Sequence, residues 1–142
     1  MTTRSASARY DGFGKEGRGL VSLQSGVLTS QPYGFGTRFG DEPGTNPEEL
    51  VAAAHAACFT MALSFALARE GFADGTIETT ARVTLDKDGD GFTVTRSDLA
   101  LEATVPGIEQ ARFEEIAQGA KAGCPISKLL NCEIGLNHRL SG

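Results

Sequence analysis

The chain has 142 residues, enough for one domain (1–142) with a real core, and its 40% hydrophobic and 22% charged residues read as globular rather than disordered. A net charge of −5 and the lack of any Lys/Arg cluster argue against nucleic acid or an anionic membrane as partner. Three cysteines, Cys58, Cys124 and Cys132, are an odd count with no close pair, which excludes a disulfide scaffold and a CxxC zinc site and fits a cytoplasmic protein with reduced thiols.

The N-terminal stretch MTTRSASARYDG carries no apolar run, so no signal peptide is expected. Residues 1–45 are rich in Gly, Ser and Thr, with β-like stretches near 5–10, 19–23 and 33–39 separated by turn signals, which predicts hairpins. Gly12 to Gly17 matches GxGxxG, but Gly19-Leu20-Val21-Ser22 continues as a strand instead of opening a helix. A glycine-rich hairpin is the better reading.

The first helix is announced by GTNPEEL. Asn46 can cap it, Pro47 suits the first helical position and Glu49 sits where a capping box places an acid. The helix should run to about Glu70 and stop at Gly71. Leu50 to Ala68 is uncharged and nearly long enough to span a bilayer, but alanine dominates it and His55, Thr60 and Ser64 interrupt it, so no transmembrane role is expected. Apolar residues surround this helix on all sides: Val51, Ala54, Cys58, Met61 and Phe65 on one face, Phe59, Leu63, Ala66 and Leu67 elsewhere. A small sheet covers only one side of such a helix, so a homodimer is expected to cover the other.

From Thr76 the period changes to two. Ile77, Thr79, Ala81, Val83 and Leu85 alternate with polar neighbours and predict a half-buried strand. DKDGDG matches the first half of a calcium loop, but Ser97 stands where the bidentate Glu belongs, so it reads as a tight turn. In the next strand Phe92 and Val94 share one parity, and Leu99, Leu101, Ala103 and Val105 the other, which predicts a β-bulge near Arg96 to Asp98. A second helix is expected from about Glu109 to Lys121, broken by Gly123-Cys124-Pro125 and followed by a short helical turn. Cys132, Ile134, Leu136, His138 and Leu140 alternate as a last strand. The order of elements predicts an α+β fold with antiparallel sheet.

A buried cysteine such as Cys58 is usually an inert small hydrophobe, and Cys124 is the less bland of the two cysteines near helices. Cys124 precedes Pro125 and so falls at a helix start, where the dipole favours a thiolate. His55 lies one helical turn before Cys58 and is either a Cys–His partner, as a hydrolase would need, or structural. His138 and Cys132 read as strand residues with structural roles.

The stretches QPYGFGTRF, GTNPEELVAAAHAACFTMAL and KAGCPIS resemble the OsmC/Ohr family of thiol-dependent organic hydroperoxide reductases over essentially the whole chain. The arginine in T-R-F, just before the helix, is similar to the OsmC branch. The resemblance implies an intertwined homodimer in which antiparallel sheets wrap central helices, with active sites at the subunit interface and no metal or other cofactor. Residue by residue it implies Cys58 as peroxidatic cysteine, Cys124 as resolving cysteine, Arg38 as activating arginine and Glu48 as the carboxylate holding it. Phe35, Phe39, Phe59, Met61 and Ile126 are candidates for an apolar wall that favours organic peroxides. A dithiol reductant of lipoyl type is implied as electron donor. The alternative is a redox-sensing stress protein on the same fold, in which the disulfide is the signal and nothing turns over.

Overall fold

In the computed structural model, which describes residues 1–142, the chain forms two compact units, Met1–Leu50 and Val51–Gly142. In the first, strands β1 (Ala6–Asp11), β2 (Arg18–Leu23) and β3 (Gln31–Tyr33) pair antiparallel in that order. The GxGxxG stretch is the β1–β2 connection, with a single 3-10 turn at Gly14–Glu16. Gly19 is required where β2 meets β3, because a Cβ there would stand 2.6 Å from the Tyr33 carbonyl oxygen.

The expected strand over 33–39 ends at Tyr33, and Phe35–Phe39 is instead a short helix, α1. The Thr37 hydroxyl accepts from the Gly34 N–H at 2.8 Å, and the Asn46 side-chain amide donates to the Thr37 carbonyl at 3.0 Å. These two bonds override the strand preference of the aromatic residues.

Helix α2 (Pro47–Arg69) follows. The Asn46 side chain accepts from the Glu49 N–H at 2.8 Å, while the Glu49 carboxylate bonds Thr45 at 2.9 Å rather than completing a capping box. At the other end Phe72 N–H reaches the Leu67 carbonyl and Gly71 N–H the Ala68 carbonyl, with Gly71 at φ 92°. This is a Schellman ending, and it needs the glycine.

In the second unit, β4 (Thr76–Asp88) and β5 (Gly91–Thr104) form a long antiparallel hairpin through the loop Gly89-Asp90. Thr84 pairs with Arg96 and Leu85 with Val94, so Thr95 is the extra residue of a bulge, one position before the expected stretch. Strand β6 (Glu133–Ser141) pairs with β5 in parallel, which corrects the expectation of an antiparallel sheet throughout. Helices α3 (Gln110–Gly123) and α4 (Pro125–Leu129) supply the long crossover that a parallel return requires.

The core lies between this sheet and the helices. Leu99, Leu101, Ala103 and Val105 of β5 meet Phe59, Leu63 and Leu67 of α2 and Phe113, Ile116, Ala117 and Ala120 of α3. The opposite stripe of α2 (Ala53, Ala54, Ala57, Met61, Phe65 and Ala68) is exposed, Met61 at 63% and Phe65 at 62%. One chain leaves this apolar stripe uncovered.

Candidate active site

Pro125 sets the geometry of the thiols. It disfavours a helical conformation at the residue before it, so α3 ends and Cys124 turns to extended ψ at 125° before α4 begins. Cys124 thereby stands at the N-cap position of α4, fully buried, beside its first turn. From α2 the half-buried Cys58 thiol reaches the same place, close enough to Cys124 for each to influence the other's ionisation. Cysteines 66 positions apart in sequence are thus neighbours, both as free thiols.

Their environments differ. Burial pushes the Cys58 thiol up, the Cys124 thiol adds to this, and only the Ile126 N–H works the other way. Burial also penalises a Cys124 thiolate, but hydrogen bonds from Cys58, from the Ser127 N–H and hydroxyl, and from the Ile126 N–H outweigh it and hold Cys124 below the ordinary thiol value. None of these neighbours offers Cys58 a cation to offset its burial.

Such a cation is organised in the first unit. Arg38, on α1, grips Glu48, in the first turn of α2, by two parallel bonds of 2.8 Å (Nε to Oε1) and 2.9 Å (Nη2 to Oε2). The guanidinium also lies 5.4 Å from the Phe39 ring centroid, and Phe39 packs on Phe35 at 5.2 Å. Both rings are partly exposed, so arginine and apolar surface are presented together.

Beside Cys58, between α2 and α3, runs a groove of about 710 Å³. Met61, Phe65 and Ile116 line its length, Pro125 stands near the thiols, and Arg69 and Arg112 mark the other end. Met61 and Ile126 are thus near Cys58, whereas Phe59 is wholly enclosed in the core and offers no surface to a substrate. Cys132 sits just before β6, and His138 stacks on Phe113 at 5.7 Å as a core contact. No group of three or more His, Cys, Asp or Glu side chains could hold a metal ion.

His55 is not a partner of Cys58. It is fully buried, with Nδ1 2.6 Å from the Ser97 hydroxyl and Nε2 2.9 Å from the Ser127 hydroxyl. Neither serine carried a signal in the sequence, because each lies on a different element far along the chain.

Residues 40–139 match the family described as OsmC-like protein. The chain belongs to that family. The OsmC match takes in Glu48, Cys58 and Cys124, while Arg38 lies just before it. Among OsmC relatives, the peroxiredoxin OsmC of Escherichia coli K12 is 53% identical over 137 residues, covering 96% of each chain. The organic hydroperoxide resistance protein of Xanthomonas axonopodis pv. citri is 32% identical over 116 residues, 80% of this chain and 78% of that one. Among solved structures, the organic hydroperoxide resistance protein OhrB of Bacillus subtilis superposes with a TM-score of 0.70 at 26% identity, covering 99% of this chain and 98% of the other. An OsmC-like protein of unknown function from Vibrio cholerae reaches a TM-score of 0.78 at 16% identity, over 98% of this chain and all of its own, which shows the fold alone. The α+β fold is that of the OsmC and Ohr proteins.

Proposed function

We propose that this protein is a two-cysteine, thiol-dependent peroxidase that reduces organic hydroperoxides to alcohols in oxidative or osmotic stress defence. The observation that carries this reading is the pair of free thiols, Cys58 and Cys124, brought together at the start of α4. The names of the relatives, a peroxiredoxin and organic hydroperoxide resistance proteins, point the same way.

In the proposed cycle the Cys58 thiolate attacks the terminal peroxide oxygen, the O–O bond breaks, and the alkoxide leaves as alcohol after taking a proton. Cys58 is then a sulfenic acid, which Cys124 condenses to a disulfide before further oxidation can occur. A dithiol of lipoyl type reduces the disulfide by exchange. A free thiol with pKa ~8.5 is only about 3% ionised at neutral pH, and burial lowers that fraction at Cys58. Arg38, oriented by Glu48, supplies the missing charge and a donor to the peroxide. Met61 and Ile126, with Phe35 and Phe39, form the apolar wall for the organic group.

Arg38 and Glu48 act in this reading across a homodimer. Glu48 and Cys58 both stand on α2, and ten residues separate them by about 15 Å and about 1000° of turn, well off a common face. An antiparallel partner helix crossing near Ala53 would bring each Glu48 beside the other subunit's Cys58, and the open alanine stripe permits close approach. By length and composition α2 could cross a membrane. Its His55, Phe59, Leu63 and Leu67 side is core instead, which supports a soluble, cytoplasmic protein.

Peroxide consumption tests the proposal, comparing cumene hydroperoxide with H2O2 and dihydrolipoamide with monothiols. Many turnovers with cumene hydroperoxide and dihydrolipoamide are expected. Oxidation that halts after one equivalent despite a supply of reduced dithiol would favour the redox sensor.

A further inference from the structure

His55 is a buried titratable group that the proposed cycle leaves idle, yet it is joined to one of the two sulfurs. A neutral imidazole has one N–H and one bare nitrogen, and each hydroxyl can either give or accept a proton in a hydrogen bond. With Ser97 at Nδ1 and Ser127 at Nε2, either tautomer of His55 is fully satisfied, and exchanging them leaves no buried polar atom without a partner. Burial keeps the ring neutral.

The two tautomers do different things to Cys124. When Nδ1 carries the proton, Ser127 must donate to Nε2, and its oxygen can only accept from the Cys124 S–H. When Nε2 carries the proton, His55 donates to the Ser127 oxygen, freeing the Ser127 proton to turn toward the Cys124 sulfur, buried about one helical turn before it at the start of α4.

Resting on the two-thiol reading above, we propose that His55 is a positioning residue for the resolving cysteine: by exchanging tautomers between Ser97 and Ser127, it turns the Ser127 hydroxyl from acceptor of the Cys124 S–H into donor to the Cys124 thiolate. The step served is disulfide formation. The Cys124 sulfur bonds to the Cys58 sulfenic sulfur as the S–O bond breaks, and the departing hydroxide and the proton lost by Cys124 leave as water. Cys124 is oxidised and the sulfenic sulfur reduced, with no outside oxidant. Cys58 is the titratable group facing Cys124 from α2, and β5 and α4 bring the uncharged Ser97 and Ser127 to His55.

Two measurements decide the matter. In the Cys58→Ser protein, which needs no peroxide, imidazole 15N NMR should show neutral His55 passing from the Nδ1–H to the Nε2–H form over the same pH range in which the Cys124 13Cβ signal reports ionisation. A single tautomer across that range overturns the proposal. In single-turnover experiments with cumene hydroperoxide, Ser127→Ala should slow disulfide formation about tenfold relative to Cys58 oxidation, as loss of a hydrogen bond to a charged group predicts. Its pH profile should move upward, and Ser127→Thr, which keeps the hydroxyl, should restore most of the rate. Wild-type rate and pH profile in Ser127→Ala would equally overturn it. If wild-type Cys58 forms no sulfenic acid, the peroxidase reading fails by itself, and the NMR titration still judges His55.

Discussion

Arg38 holds Glu48 through two parallel N–H···O bonds of 2.8 and 2.9 Å, while Glu48 occupies the first turn of the helix that carries Cys58. Lysine cannot reproduce that planar fork. In the proposed homodimer, Arg38→Ala is expected to raise the thiol pKa of Cys58 and slow its oxidation about tenfold or more, the value of one charge-assisted hydrogen bond. Arg38→Lys should recover little of the loss. Thiolate absorbance against pH in the Cys124→Ser background checks the first claim. An unchanged titration curve in Arg38→Ala would assign activation to another group.

The three cysteines should separate cleanly. Cys58→Ser is expected to abolish turnover, and Cys124→Ser to allow one oxidation and trap Cys58 as a sulfenic or higher acid. Cys132→Ser, just before β6, should leave activity nearly intact. Mass spectrometry after one equivalent of organic hydroperoxide reads all three, and a wild-type disulfide through Cys132 would refute the pairing.

The proposed cross-subunit site can be rebuilt from two dead ones. Cys58→Ser and Glu48→Ala subunits, each inactive alone, are refolded together to form heterodimers. One of the two sites then keeps both residues, so activity should return toward half the wild-type value per site pair. Heterodimers that form and stay inactive would exclude the cross-subunit arrangement.

Stability should depend on pH through His55. Burial lowers its folded pKa below the unfolded value of about 6.5, so the unfolded chain binds the proton more readily. The contribution is complete above pH ~6.5 and is lost as pH falls toward the folded value. Urea midpoints should therefore drop between pH 7 and 5.5 in the wild type and change less in His55→Gln. Asp98, held low by its hydrogen bonds to Arg96, contributes stability that is present throughout this range and is lost only at more acid pH.

Much of this structure was legible wherever the signal is local. Asn46, Pro47 and Gly71 bracket α2 because capping and left-handed backbone are decided within a few residues. The parity change in β5 exposed a bulge, although alternation alone could not single out Thr95. What escaped notice depends on distant partners. FGTRF reads as a strand until Thr37 and Asn46 are seen to bond around it. The direction of β6 leaves no mark on its alternation, since side chains alternate equally in parallel and antiparallel pairs. The serines that engage His55 lie 42 and 72 residues away, a separation that carries no pattern. The resemblance supplied roles for Cys58, Cys124, Arg38 and Glu48, but it said nothing of this buried chain.

The Thr95 bulge gives the β4–β5 hairpin two registers, one imposed by the Gly89-Asp90 loop and one by the core. Phe92 and Val94 answer to the loop; Ser97, Leu99 and Leu101 answer to the helices above them. A residue gained or lost in the loop can then be absorbed at the bulge. Without Thr95 the same change would travel along the strand and turn every side chain to the opposite face. Ser97 lies two residues beyond it, so this single unpaired position shields the hydroxyl facing His55 from variation at the far end of the hairpin.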